Sequence, residues 1–425
     1  MTLDPRSSVE TIFQAALQAV AGDQAVMDAV VEDEFGSRVH LVAIGKAASA
    51  MALGAKRVLD GQITQALILT KYEHTASELL ADSRFRIHES SHPIPDAASL
   101  QAGAYLIDFV SAVDENDDLL VLLSGGASAL VEQLPPNMSL DDLSRVTDFM
   151  LSSGMDITQM NRIRRSLSCI KGGGLGASLS GCRVRQYVVS DVPGDKLQDI
   201  GSGPLALVDT QVDRASGASC DLPTLPELPD WLSALMDSAP QIDADCRANL
   251  SRVESRIVAS SSKALQTAIN KAEELGLVVA KARGDLHQNV TDNARMIASQ
   301  LLDADAIDGV YIWAGESTVN LPDNPGRGGR NQHLAALLAA QIEDQPVTIL
   351  CGATDGTDGP TADAGGVVDG QSCARAHQLG LDIEHSIADS DTGNWLEACG
   401  SLLTTGPTGT NVMDLVIALR SPLPD

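Results

Sequence analysis

Two guanidinium groups stand among three glycines in Gly326-Arg327-Gly328-Gly329-Arg330-Asn331-Gln332, directly before an apolar run over residues 334–340. Glycine lets backbone amides come close to a ligand. A helix starting here would aim its positive end at that ligand. An arginine adds a forked donor that suits phosphate or carboxylate. The combination predicts an anion site, with Gly329, Arg330 and Asn331 as its candidate contacts. The setting sharpens this reading. The chain has 57 acidic and 29 basic residues and a formal net charge of −28. Such a surface repels nucleic acid and anionic membranes, so neither is an expected partner. It repels an anionic substrate as well, so a site for one must concentrate cations locally.

Further segments carry possible chemistry. Gly45-Lys46 follows the apolar run 39–44 and opens a helix. A lysine there can meet a phosphate held at the helix N-terminus; the alternative is a solvated lysine. The segment is not a P-loop. Ser124-Gly125-Gly126-Ala127-Ser128 resembles a nest of backbone donors at a helix start. Lys171-Gly172-Gly173-Gly174 is a second glycine-rich loop after the basic run 161–165, which reads equally as a surface helix with paired charges. Ser190-Asp191-Val192-Pro193-Gly194-Asp195 puts two carboxylates in one loop, where one can accept a hydroxyl proton or hold Mg²⁺; Asp and Gly are also ordinary turn formers. Asp355, Asp358 and Asp363 lie close together among Gly and Thr, a set that suits a hard cation without being an EF-hand. The loop 405–411 offers Thr408 and Asn411 to an anion or a sugar. His92-Pro93-Ile94-Pro95-Asp96 reads as a turn. Neither Gly-x-Ser-x-Gly nor a strict Gly-x-Gly-x-x-Gly occurs.

These loops need elements to hold them. Apolar runs at 39–44, 118–123, 184–190, 309–314 and 346–350 each precede a Gly-, Ser-, Thr- or Asp-rich turn. Continuous apolar strands alternating with helices predict buried parallel sheets in an α/β protein, with ligands at the carboxyl ends of the strands. Residues 9–20 show a helical apolar face. Residues 204–245 break the pattern and read as a linker, which puts the domain boundary near residue 245, between 1–245 and 246–425. No apolar run reaches the ~20 residues of a membrane helix. Seven scattered cysteines without a Cys-x-x-Cys fit reduced thiols and a cytoplasmic setting.

Taken together, and in order along nearly the whole chain, the segments resemble the glycerate 2-kinase family with a C-terminal MOFRL domain, whose members are often labelled hydroxypyruvate reductase. The resemblance runs through Ile44-Gly45-Lys46-Ala47, His92-Pro93-Ile94-Pro95-Asp96, the 124–130 loop, Lys171-Gly172-Gly173-Gly174-Leu175 and Ser190 to Asp195. It continues through Gly201-Ser202-Gly203-Pro204, Gly315-Glu316-Ser317-Thr318, Gly328-Gly329-Arg330-Asn331-Gln332, the 354–361 loop and Thr405 to Asn411. Arg327 stands where proline is expected, His333 where glutamate is expected, and the linker is short. The resemblance implies two Rossmann-like three-layer α/β domains with an active-site cleft, the second containing the MOFRL region at about 310–420. It implies phosphorylation of the 2-hydroxyl of D-glycerate by ATP, with Lys46 and Arg330 stabilising the transferring group. Under it Asp191 is the candidate proton acceptor, and Mg²⁺ accompanies ATP near Asp191, Asp195, Asp355 or Asp358. Residues 124–128, Lys171, Gly329, Asn331, Thr408 and Asn411 are the candidate phosphate or glycerate contacts. The expected assembly is a monomer or homodimer. The competing reading is a hydroxypyruvate reductase using NAD(P)H.

Overall fold

A computed structural model describes residues 4–155, 157–207, 228–237 and 242–422. The chain divides into two compact units: residues 22–258, and residues 1–21 together with 259–425.

The 22–258 unit is built on strands β1 (Val39–Ile44), β2 (Ile63–Lys71), β3 (Phe85–Ser90), β4 (Asp118–Leu123), β5 (Arg183–Val189) and β6 (Glu254–Ala259), in the order β3-β2-β1-β4-β5-β6. The pairs from β3 to β5 are all parallel. This is the strand order of a doubly wound Rossmann sheet, whose switch point falls between β1 and β4. Every residue of β1 and β4 is buried, as expected for strands covered on both faces. The helices Gly22–Glu32 and Ala48–Leu59 pack together along one face of the sheet. On the other, Leu106 and Val110 of the helix Ala97–Ser111 join Val42, Ile44, Leu67, Leu69, Val121 and Leu123 in one core.

The second unit holds β7 (Val279–Leu286), β8 (Gly309–Gly315), β9 (Val347–Ala353), β10 (Gly365–Asp369), β11 (Leu402–Leu403) and β12 (Asp414–Arg420), in the order β11-β10-β9-β12-β8-β7. Here the expectation of a parallel sheet changes. β7 and β8 are parallel, but β12 inserts antiparallel between β8 and β9, and β10 and β11 add antiparallel pairs. A central strand buried on both faces has the same continuous apolar sequence in either direction, so the composition of residues 415–419 carried no sign of it. The insertion has a consequence. The first residue of β12, Asp414, lies opposite Gly315 and Ala353, at the carboxyl ends of β8 and β9.

The division of the chain differs from the expected boundary near 245. The helix Ala244–Leu250 buries Cys246 and Leu250 in the core of the first unit, and β6 extends that unit's sheet. The amphipathic helix Pro5–Val20 belongs instead with the C-terminal unit, against β9, β12 and the helix Ser261–Glu274. Its periodicity revealed the apolar face but not the partner. The proline-rich part of the expected linker, within residues 208–227, lies outside the described residues.

Phe13 is fully buried, with its ring over Gly352 of β9. Phe13→Ala should lower stability by about 3–5 kcal/mol. Hydrogen exchange should localise the loss to β9 and β12, with β1 and β4 unaffected.

Candidate active site

In the 22–258 unit, four turns converge at the carboxyl ends of β1, β3, β4 and β5. A Cβ on Gly45, whose φ is +121°, would stand 2.2 Å from Ser124 Oγ and 2.5 Å from its carbonyl oxygen, so only glycine fits. The Ser124 hydroxyl accepts from Ala47 N at 3.1 Å, and Lys46 N donates to Gly125 O at 2.9 Å. Ser124 thus ties the two turns together from a buried position rather than offering its hydroxyl to a ligand. The amides of Gly125, Gly126, Ala127 and Ser128 donate to no acceptor among the described residues. The Ser128 hydroxyl is paired with Ser202 at 2.9 Å.

Asp191 Oδ2 lies 1.8 Å from the point where a Cβ on Gly125 would stand, so the carboxylate rests directly on that glycine. Burial pushes the Asp191 pKa up, and Lys46 partly opposes the shift. The Lys46 ammonium makes no ion pair among the described residues. Its stem and the imidazole of His92 both pack on Gly126, each 3.1 Å from a Cβ placed there. Free amides, an unpaired ammonium and a desolvated carboxyl therefore meet at the switch point of the sheet. That arrangement can bind an anion and accept a proton.

In the other unit Arg330 opens the helix Arg330–Gln341, with Gly329 as its N-cap. The helix end is not open to a ligand as expected. Asp358 accepts from Asn331 N at 3.1 Å and from Gln332 N at 2.8 Å, and a Cβ on Gly329 would stand 2.4 Å from its Cγ. The protein's own carboxylate caps the helix. Burial raises the Asp358 pKa to about 7, against the pull of those two amides. Arg330 Nε and Nη2 form a forked pair with Asp414 at 2.6 and 2.8 Å, and Nη1 meets Glu316 at 2.8 Å. Burial works against the Arg330 charge, but Asp414 outweighs it and holds the pKa above the ordinary arginine value. Asp414 is completely buried, whereas 29% of the Arg330 side chain stays exposed. The guanidinium is thus fixed from behind, with part of its surface left for an anion.

Other expected contacts are committed elsewhere. Lys171 is buried in an ion pair with Glu132, and the amides of Gly172 and Gly173 bond to Ser202 and Gly203. A buried ammonium needs a counter-charge, and Glu132 supplies it. The buried Asn331 contacts Asp358. The Thr408 hydroxyl donates to Thr354 O at 2.6 Å, and Asn411 Oδ1 accepts from Met413 N. Asp355 closes a turn by accepting from the Thr357 amide and hydroxyl. Of the expected metal ligands, Asp195 belongs to the 22–258 unit, and Asp355 and Asp358 belong to the other, where Asp358 is occupied as a cap. Among the described residues no group of three or more His, Cys, Asp or Glu side chains fits a metal ion. Two residues escaped the sequence reading. His92 was read as a turn former. Asp414 had a signal, being the lone acid at the head of a fully apolar strand.

A Rossmann-type unit with an anion corner and a second α/β unit carrying a clamped arginine define a two-unit α/β class with anion-binding features. The similarities narrow this further. Residues 8–232 match a domain of unknown function (DUF4147), and residues 309–414 match the MOFRL family. The chain is 34% identical to D-glycerate 2-kinase of Thermotoga maritima, over 96% of each protein. A crystal structure of glycerate kinase from the same organism aligns with a TM-score of 0.84 at 32% identity, covering 98% of this chain and 99% of that one. A protein of Agrobacterium vitis named putative hydroxypyruvate reductase is 32% identical over 89% of this chain and 98% of its own length. The chain belongs to the glycerate 2-kinase family with a C-terminal MOFRL domain.

Asp358 gives a pH prediction. Its folded pKa of about 7 lies above the ordinary 3.8, so the folded state binds the proton more tightly than the unfolded chain. Its contribution to stability therefore falls as pH rises from about 4 through about 7. Urea unfolding of the unit that contains it should show stability declining across this window, and the decline should be smaller in Asp358→Asn.

Proposed function

We propose that the protein transfers the γ-phosphoryl group of ATP to the 2-hydroxyl of D-glycerate, giving 2-phosphoglycerate and ADP. The observation that carries this reading is the meeting of the unpaired Lys46 ammonium, the free amides of residues 125–128 and the desolvated Asp191 carboxyl. The names of the relatives support the choice of substrate. Phosphoryl transfer asks little covalent chemistry of a protein; it needs positioning and charge stabilisation. Asp191 accepts the hydroxyl proton as the substrate oxygen bonds to phosphorus, and the bond to the leaving ADP oxygen breaks with its electron pair. The raised pKa makes Asp191 a better acceptor than an ordinary carboxylate. Lys46 offsets the charge on the transferring group, and within its own unit Arg330 offers a guanidinium to an anion, with Asp414 holding its fork in place. Mg²⁺ would arrive with ATP as part of the substrate, coordinated by phosphate oxygens and water, since the described residues form no cage for it. Six free cysteines among the described residues support a cytoplasmic setting. No described helix is long and apolar enough to cross a membrane.

The Rossmann strand order and the naming of some relatives favour reductase chemistry as a second reading. Against it, the turn after β1 is Gly45-Lys46 and lacks the dinucleotide fingerprint. Purified protein separates the two. ADP release that requires D-glycerate supports the kinase, and NADH consumption with hydroxypyruvate in its absence supports the reductase.

Lys46→Ala and Arg330→Ala should each lower kcat by roughly a hundredfold or more. A near-normal kcat with a raised KM would limit either residue to binding. Gly125→Ala tests the placement of Asp191. The added methyl would occupy the space of the carboxylate, so kcat should fall by about a hundredfold, with an unchanged far-ultraviolet circular dichroism spectrum.

A further inference from the structure

The imidazole of His92 is the part of the Lys46 corner that the proposed transfer leaves unused. It follows β3, and Cδ2 and Nε2 lie 3.1 and 3.3 Å from a Cβ placed on Gly126. Lys46 Cγ is 3.1 Å from the same point, so ring and lysine stem line one glycine. Four other histidines place a ring nitrogen on a protein acceptor: His40 on Asp117, His74 on Tyr72 O, His88 on Ala98 O and His385 on Asp382. His92 has no such partner among the described residues, and its surroundings act on it only through burial and the charges of Lys46 and Lys71. A partly buried ring with unpaired nitrogens beside the site is a group left for a ligand.

The kind of ligand group follows from charge. Burial, and then Lys46 and Lys71, lower the His92 pKa to about 4, so the ring is neutral near pH 7. It offers one N–H and one lone pair. A neutral ring is a poor match for a carboxylate or phosphate, which the neighbouring lysine and free amides serve better. The proton transfer is already assigned to Asp191, whose pKa burial shifts upward. A neutral donor and acceptor pair suits an uncharged hydroxyl. Glycerate has two, and the reacting one is assigned to Asp191. We infer that His92 hydrogen-bonds the non-reacting 3-hydroxyl of the substrate and so selects a 2,3-dihydroxy acid over a 2-hydroxy acid of the same length. The inference rests on the kinase reading and adds its specificity determinant. An analogue without that hydroxyl would leave the ring unpaired in a desolvated position, the situation in which hydrogen-bonding sites discriminate most strongly.

D-lactate, which is D-glycerate without the 3-hydroxyl, is the probe. KM and kcat for D-glycerate and the inhibition constant of D-lactate are measured for the wild type, His92→Leu and His92→Gln. In the wild type, the D-lactate inhibition constant should exceed the D-glycerate KM by roughly ten- to a hundredfold. His92→Leu should lower kcat/KM for D-glycerate by about the same factor, while D-lactate inhibition moves less than about threefold. His92→Gln keeps an uncharged donor and acceptor and should recover part of the loss. Equal weakening of both ligands in His92→Leu overturns the inference. So does a wild-type inhibition constant within about threefold of the D-glycerate KM, a comparison that needs no variant to fold. Absence of any D-glycerate-dependent ADP release from the wild type overturns the kinase reading and this inference together, whereas ADP release without discrimination overturns the inference alone.

Discussion

A side chain at residue 45 would collide with Ser124, and one at residue 125 would collide with Asp191. The anion corner depends on these two missing side chains. With glycine at both positions the turns after β1 and β4 touch through their backbones, and Lys46 N can bond to Gly125 O. That contact turns the amides of residues 125–128 away from the protein and brings the Asp191 carboxylate onto the same glycine. The strand order supplies the remaining condition. β1 and β4 are neighbours whose connections leave in opposite directions, so a crevice opens between their carboxyl ends. Other residues of the corner, His92 included, are then brought in by the parallel register of the sheet.

The acidity of the chain imposes a second constraint. With about two acidic residues for each basic one, most cations acquire carboxylate partners. Lys171 is taken by Glu132, Arg165 by Asp199, and Arg327 by Asp363 and Glu397. Arg327, within the glycine-rich loop, therefore ties that loop to Asp363 and Glu397. Arg330 is also paired, but its partner Asp414 sits entirely beneath it and leaves one side exposed. Lys46 has no carboxylate partner in direct contact among the described residues; the nearby carboxyl, Asp191, is held against Gly125. Burial raises the Asp191 pKa and the Lys46 charge opposes that shift, so the two groups tune each other without a direct ion pair.

Much of this was legible from residues alone. The glycine-rich turns at 45 and 125 follow apolar runs that are strands, and the turn at 329 precedes an apolar run that is a helix. The alternation was enough to indicate α/β units with sites at strand ends. Lys46 and Arg330 stood out because cations in glycine loops are rare in a chain whose basic residues are few; Asp191 was singled out by the family resemblance. The family resemblance added the substrate class and the roles of these residues. Proximity in sequence does not show which carboxylates of the expected metal set, Asp195, Asp355 and Asp358, are already committed. Asp358 is consumed by two helix amides, and Asp355 by its own turn.

The sequence by itself determined the local elements, the glycine positions and the shortage of cations, since these follow from periodicity, steric freedom and composition. Only the tertiary structure decided which polar groups were already satisfied. Long-range pairing placed Asp414 under Arg330 across 84 residues of chain, Glu132 on Lys171 and Asp358 on the helix start. Among the described residues it also left His92 and the amides of residues 125–128 without partners. Whether a polar group is free to act depends on what is packed against it, and packing partners come from distant parts of the chain that no local pattern records.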